Sequence, residues 1–253
     1  LNCCSVWSRR RSDAENYLPP KKSCILGNEP NTEIAFIGDS HLDLISIELK
    51  KQLIEKKMSA FQFSHGGCVP ALNVKVYADR RYQCDRYFNE VLLEIKSKPE
   101  LKKIIFFSRW PFNISGKRFN NQEGGVEIGE NHYFISTKDN YLTPDSEREK
   151  LILDEINSYI NEIYKIYKKI YIIMPVPEMG WEIPNNLARQ LNYYKKLDPK
   201  TLSISKKIFL DRNKKVFDFF NSIKEKYSLK LIFLDDLFCD NERCYAHKNQ
   251  IPL

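Results

Sequence analysis

Short apolar runs alternate along this chain with longer stretches of helical periodicity. Glu33-Ile34-Ala35-Phe36-Ile37 is the first run, and it stops at Gly38-Asp39-Ser40. From Leu42 to Met58 the apolar positions Leu42, Leu44, Ile45, Ile47, Leu49, Leu53 and Ile54 then follow a helical period. Ala60 to Phe63, Lys103 to Phe107, Ile170 to Met174 and Leu231 to Leu234 repeat the apolar theme, with helical stretches near Tyr87 to Lys96, Ser146 to Lys168 and Ser205 to Lys226. Runs this short and this uniformly apolar are what strands covered on both faces look like. Their alternation with helices predicts an α/β fold: a three-layer α/β/α sandwich around a five-stranded parallel sheet.

In such sheets ligands bind beyond the carboxyl ends of the strands. Four segments sit there: Gly38 to His41, Ser64 to Pro70, Ser108 to Asn113 and Pro175 to Trp181. All are rich in Gly, Pro, Ser, His and Trp. Residues from about 113 to 143 are polar, hold four glycines and lack a long periodic run. They read as an insertion, either a lid over a substrate groove or a plain surface excursion.

The 253 residues suffice for one large domain, and no apolar run approaches the roughly 20 residues of a membrane-spanning helix. Lys and Arg number 40 against 33 Asp and Glu, a net +7, but the lysines are scattered along amphipathic stretches. That pattern is a solvated face and not a nucleic-acid surface. No zinc spacing, phosphate-binding loop or dinucleotide fingerprint is present, so no metal or cofactor is expected. The Arg9-Arg10-Arg11 run lies in a polar segment ending at Pro19-Pro20, and residues 1–23 read as a linker.

The seven cysteines change the picture by their placement. Cys239 and Cys244 flank a turn-rich tetrapeptide, and Cys68 and Cys84 flank a weakly periodic segment. Each pair can close a loop, with Cys24 left for Cys3 or Cys4. Disulfides imply an oxidising compartment; the alternative is a set of free cytosolic thiols. By the positive-inside rule, Arg9-Arg10-Arg11 behind a membrane segment would instead favour the cytoplasm.

Gly38-Asp39-Ser40 puts a hydroxyl at the mouth of the first helix, where unpaired N–H groups favour an oxyanion. Two readings stand: Ser40 is a nucleophile, or Asp39 or Ser40 merely caps the helix. At Ile37-Gly38-Asp39-Ser40-His41 the chain resembles the first block of the SGNH (GDSL-like) hydrolase superfamily. The resemblance is to the variant fused behind the membrane acyltransferase-three domain of bacterial glycan O-acetyltransferases. Gly66-Gly67-Cys68-Val69-Pro70, Ser108-Arg109-Trp110, Pro175 to Gly180, and Phe238-Cys239 through Cys244 are similar to that variant in order and position.

The resemblance implies a flavodoxin-like SGNH domain over residues 24–253 and a serine esterase-type mechanism. Ser40 is then the nucleophile, and the oxyanion donors are the N–H groups of Ser40 and of Gly67 or its neighbour Gly66. The family's third-block Asn is replaced by Ser108-Arg109-Trp110. Arg109 stands as a charge-assisted donor or as the partner of a carboxylate, and Asn113 is a weaker alternative. The family's Asp-x-x-His base is absent from these 253 residues, and the expectation is that it lies beyond Leu253. His41 adjoins Ser40 and points away from it, His132 lies in the insertion, and His247 follows Cys244 without an Asp three positions earlier. His65 is the one histidine with plausible reach, and it and Trp110 are candidate substrate contacts.

The function expected is transfer of acetyl groups through a serine acyl-enzyme to a cell-surface glycan, on the periplasmic or extracytoplasmic face. The partners are the glycan acceptor and an integral membrane acyltransferase domain in the same chain. A carbohydrate esterase shares the same acyl-enzyme. A glycan-binding module in which Trp110, Trp181 and tyrosines stack on sugars is the reading from a different class.

Overall fold

A computed structural model describes residues 18–79, 82–195, 202–248 and 251–252. Most of the expected linker, Arg9-Arg10-Arg11 included, lies outside the described residues. The strands are β1 (Cys24–Gly27), β2 (Ile34–Gly38), β3 (Ser59–Ser64), β4 (Val74–Val76), β5 (Lys103–Phe107), β6 (Phe134–Ser136), β7 (Ile170–Ile173), β8 (Ser203–Ser205), β9 (Lys230–Ile232), β10 (Arg243–Tyr245), β11 (His247–Lys248) and β12 (Ile251–Pro252). The α-helices are α1 (Ser40–Glu55), α2 (Cys84–Lys96), α3 (Trp110–Ser115), α4 (Asp145–Tyr164), α5 (Ile183–Tyr194), α6 (Lys206–Lys224) and α7 (Asp235–Phe238).

Six strands form the central sheet in the order β1-β3-β2-β5-β7-β9. The last five are parallel and are the five that the apolar runs predict. The sixth, β1, runs antiparallel to β3 at the edge, with Cys24 opposite Gln62 and Gly27 opposite Ser59. It is only four residues long and half exposed, too little for periodicity to mark.

Alternation along the strands separates two cores. Ile104, Phe106, Ile170 and Ile172 pack with Val91 and Ile95 of α2, Ile156 and Ile160 of α4, and Phe220 of α6. On the other face Leu42 and Leu53 of α1 cover Ile34, Phe36 and Ala60. Further along that face Ile105, Tyr171 and Ile173 stay half-buried. Since β2 leads through α1 to β3 on one side, while β5 lies on the other, the chain reverses winding between β2 and β5. That gap is the switch point at which doubly wound sheets bind ligands.

Two disulfides join Cys68 to Cys84 and Cys239 to Cys244, as the spacing suggested. Cys24 is also disulfide-bonded; Cys3 and Cys4 lie outside the described residues. Among the described residues no helix is long and apolar enough to cross a membrane.

Candidate active site

The end of β2 is held tightly against β5. A Cβ on Gly38 would fall 1.9 Å from the Phe107 carbonyl oxygen, so only glycine permits the strands to close here. Asp39 follows as the N-cap of α1, its Oδ1 accepting from the His41 N–H at 2.9 Å. Its Oδ2 accepts three more hydrogen bonds: from the Ser108 hydroxyl at 2.7 Å, the Arg109 N–H at 2.8 Å and the Asn113 amide at 2.7 Å. Asp39, Ser108 and Asn113 are all 2% exposed. One carboxylate thus bolts together the two loops that diverge at the switch point.

With capping done by Asp39, Ser40 has no structural task. It is half-buried at the first position of α1, and among the described residues nothing hydrogen-bonds its hydroxyl. The Ser40 N–H also has no acceptor among the described residues, as expected of a first helical turn.

The next strand end, after β3, carries a tight turn. The His65 N–H donates to the Gly38 carbonyl and the Cys68 N–H to the His65 carbonyl, both at 3.1 Å. Gly67 has φ +75°, and a Cβ there would meet the Tyr82 ring at 2.4 Å, so no other residue fits without displacing that ring. Among the described residues nothing accepts from the Gly67 N–H. Ser40 and Gly67 thus each present a backbone N–H without an acceptor among the described residues, at the ends of the neighbouring parallel strands β2 and β3.

His65 itself turns away from a catalytic role. Its Nε2 meets the Tyr82 carbonyl, and its ring stacks on Tyr87 with centroids 4.6 Å apart. Burial lowers its pKa against the opposing effect of that carbonyl, favouring the neutral ring. His41 is likewise pushed down, by burial first and against the attraction of Asp39.

Beyond β5, Arg109 sits between two carboxylates. Its guanidinium meets Glu127 in two bonds of 2.8 and 2.7 Å and Glu178 through Nε at 2.5 Å. Glu178 is shared with Arg212 of α6 at 2.7 Å, and Glu127 with Arg118 at 2.6 Å. The result is a ladder of alternating charge: Arg118, Glu127, Arg109, Glu178, Arg212. Burial alone would raise the Glu127 carboxyl, but the arginines override it and hold it at about 2. Burial also acts to lower Arg109, and its two carboxylates reverse that. Three of the guanidinium hydrogens donate to these two carboxylates, so the carboxylate-pairing role is the one the geometry fits. Asn113 spends its amide on Asp39 and Ser108.

Trp110 corrects a sequence expectation. It is 0% exposed, its indole N–H donates to the Ile173 carbonyl at 3.0 Å, and its ring packs on Phe220. The residue after Arg109 starts α3 and faces the core, leaving no ring face for a sugar. The residues that sequence reasoning missed as site members are Asp39 as the hub, Glu127 and Glu178 as the partners of Arg109, and His132, whose Nε2 donates to the Gly67 carbonyl at 2.7 Å. Asp39 had a signal in the tripeptide. Glu178 lay in the Pro175 to Gly180 segment and His132 in the insertion, both noted in the sequence, but nothing local tied them or Glu127 to partners 18 to 69 residues away.

A model of the SGNH domain (fused to AT3 domains) matches residues 4–253. The chain belongs to this family. Among solved structures, the SGNH fold seen here is similar to the periplasmic domain of the Salmonella ser. Paratyphi A lipopolysaccharide acetyltransferase, with a TM-score of 0.57 and 18% identity over 87% of this chain and 73% of that one. At that identity the likeness is one of fold. Among curated proteins, none matches this chain. SGNH domains of this family are fused to AT3 domains, and the SGNH fold is of the acyl-transfer or esterase type.

Proposed function

We propose that this SGNH domain is the acyl-carrying part of a glycan O-acetyltransferase on the extracytoplasmic side of the membrane. The observation that carries the reading is an uncommitted Ser40 hydroxyl at the mouth of α1, flanked by the unpaired N–H groups of Ser40 and Gly67. Ser40 Oγ attacks the acetyl carbonyl carbon and gives up its proton to a base. The two N–H groups hold the oxyanion, and the donor's leaving atom departs with a proton. A sugar hydroxyl then attacks the acetyl-serine, forms the new ester and returns the proton to Ser40. Among the described residues no imidazole hydrogen-bonds Ser40, and the Asp-x-x-His that supplies the base in this family is not in the 253 residues. The disulfides support an oxidising compartment.

The test is Ser40→Ala in the full-length protein, reading acetate released from purified glycan alongside thermal melts of the two soluble domains. The expected outcome is loss of acetylation with an unchanged melt, since Asp39 and not Ser40 caps the helix. Unchanged acetylation by a folded Ser40→Ala protein would exclude a serine acyl-enzyme.

A further inference from the structure

The Gly67 donor is useful only if its peptide is immobile, because misplacing a catalytic group by about 1 Å costs on the order of 10²-fold in rate. Two consecutive glycines are poorly suited to that, having more backbone freedom than any other pair. The turn is restrained on three sides by its own neighbourhood: the His65 N–H on Gly38, the Cys68 N–H on His65, and the Cys68–Cys84 disulfide. The fourth restraint comes from far along the chain. His132, 65 residues away in the polar insertion, donates through Nε2 to the Gly67 carbonyl at 2.7 Å.

His132 is itself firmly placed. Its backbone N–H donates to the Gly116 carbonyl at 2.7 Å, just past the end of α3. Its ring lies among Tyr82, Phe112 and Phe134, with centroids 4.8, 6.1 and 5.1 Å away. Tyr82 is the ring that also fills the space beside the Gly67 Cα. His132 and Tyr82 together hold Gly67 at its carbonyl and at its Cα, leaving its N–H as the group turned to no partner.

We propose that His132 is a positioning residue of the acyl-transfer site, its Nε2–H fixing the Gly67 peptide so that the Gly67 N–H stays aimed at the acyl oxyanion. This rests on the reading of Ser40 and Gly67 above. The polar insertion then organises the site. A histidine that works by donating Nε2–H does so both neutral and protonated, so the role adds no ionisation of its own to the pH dependence of the reaction.

The experiment compares His132→Phe, which keeps the aromatic packing without the donor, and His132→Gln, which restores a donor, with wild type and Ser40→Ala in the full-length protein. Acetyl transfer is measured across pH together with thermal melts. His132→Phe should lower kcat by roughly 10- to 100-fold, below the 10²- to 10³-fold of losing an oxyanion donor outright. KM, the shape of the pH profile and the melting temperature should be unchanged, and His132→Gln should regain most of the rate. Full activity in His132→Phe with none in Ser40→Ala overturns the positioning role alone. Activity retained in Ser40→Ala overturns the reading beneath it. A lost limb of the pH profile in His132→Phe marks an acid or base and refutes positioning, as does a loss shared by His132→Gln with a lowered melt.

Discussion

Asp39 shows how much one carboxylate settles. Both of its oxygens accept only, and four donors from the segments after β2 and β5 converge on them. Asp39→Asn keeps the shape and replaces one acceptor by an NH2 group, which then faces donors whichever way it is turned. A buried group left unsatisfied costs about 1–3 kcal/mol. Urea denaturation should therefore show a lower midpoint at unchanged slope, by that amount, and an unshifted midpoint would mean that Asp39 is not the bolt between the two loops. At this scale the sequence was partly readable. Gly38-Asp39-Ser40 announced a capped helix mouth with a hydroxyl, but not which residue did the capping. Arg109 announced a charge without its partners, and Trp110 is a candidate substrate contact in the sequence because nothing local tells a core tryptophan from an exposed one.

Helix α1 carries a second acid that its own sequence conceals. Asp43, between Leu42 and Leu44 in the first turn, packs on β3. Its Oδ1 takes the Ser64 hydroxyl at 2.5 Å and the Gln62 amide at 2.9 Å, while Oδ2 is buried without a partner. Burial pushes its pKa from 3.8 up to about 6, against the Ser64 and Gln62 bonds. A carboxyl titrating higher folded than unfolded favours folding when protonated. Its contribution is complete below about pH 4 and is lost as pH rises toward 6, a penalty of at most about 3 kcal/mol above that. Asp43→Asn keeps a side chain of the same shape and removes the charge. The variant should outlast wild type in denaturant at pH 7 to 8, with the gap closing by about pH 4; a gap independent of pH would show that Asp43 does not titrate in this range. Elements themselves were the most legible level. Apolar runs gave the five parallel strands to within a residue or two, because largely covered strands carry few polar positions to blur them. The edge strand β1 and helix α5 escaped, being short or half exposed.

Across the whole molecule, layers and winding followed from the order of elements, whereas the folding of the insertion onto the site did not. Its polar composition left open a lid or a plain surface excursion, but Asn121 is 0% exposed within it and donates to the Met179 carbonyl at 2.7 Å. Buried Arg148 of α4 caps the Ser115 carbonyl at 3.0 Å and lies over the Tyr133 ring. Polar residues hold this segment by long-range hydrogen bonds, which no period records. The charge ladder is the broadest of these ties, joining the insertion, the loops after β5 and β7, and α6 through Glu127, Arg109, Glu178 and Arg212. Glu178 bonds both Arg109 and Arg212, and its side chain is 8% exposed. Glu178→Gln leaves two arginines short of a carboxylate, at a cost of about 1–3 kcal/mol for poorly satisfied buried groups. Because the ladder lies above the sheet and not inside either core, the loss should appear as local opening. Amide hydrogen exchange is expected to rise in residues 117–131 while β2, β5 and β7 keep their protection. A uniform rise over insertion and sheet would instead show that the ladder belongs to the global folding unit, and that the insertion cannot loosen without the strands that carry Ser40 and Gly67.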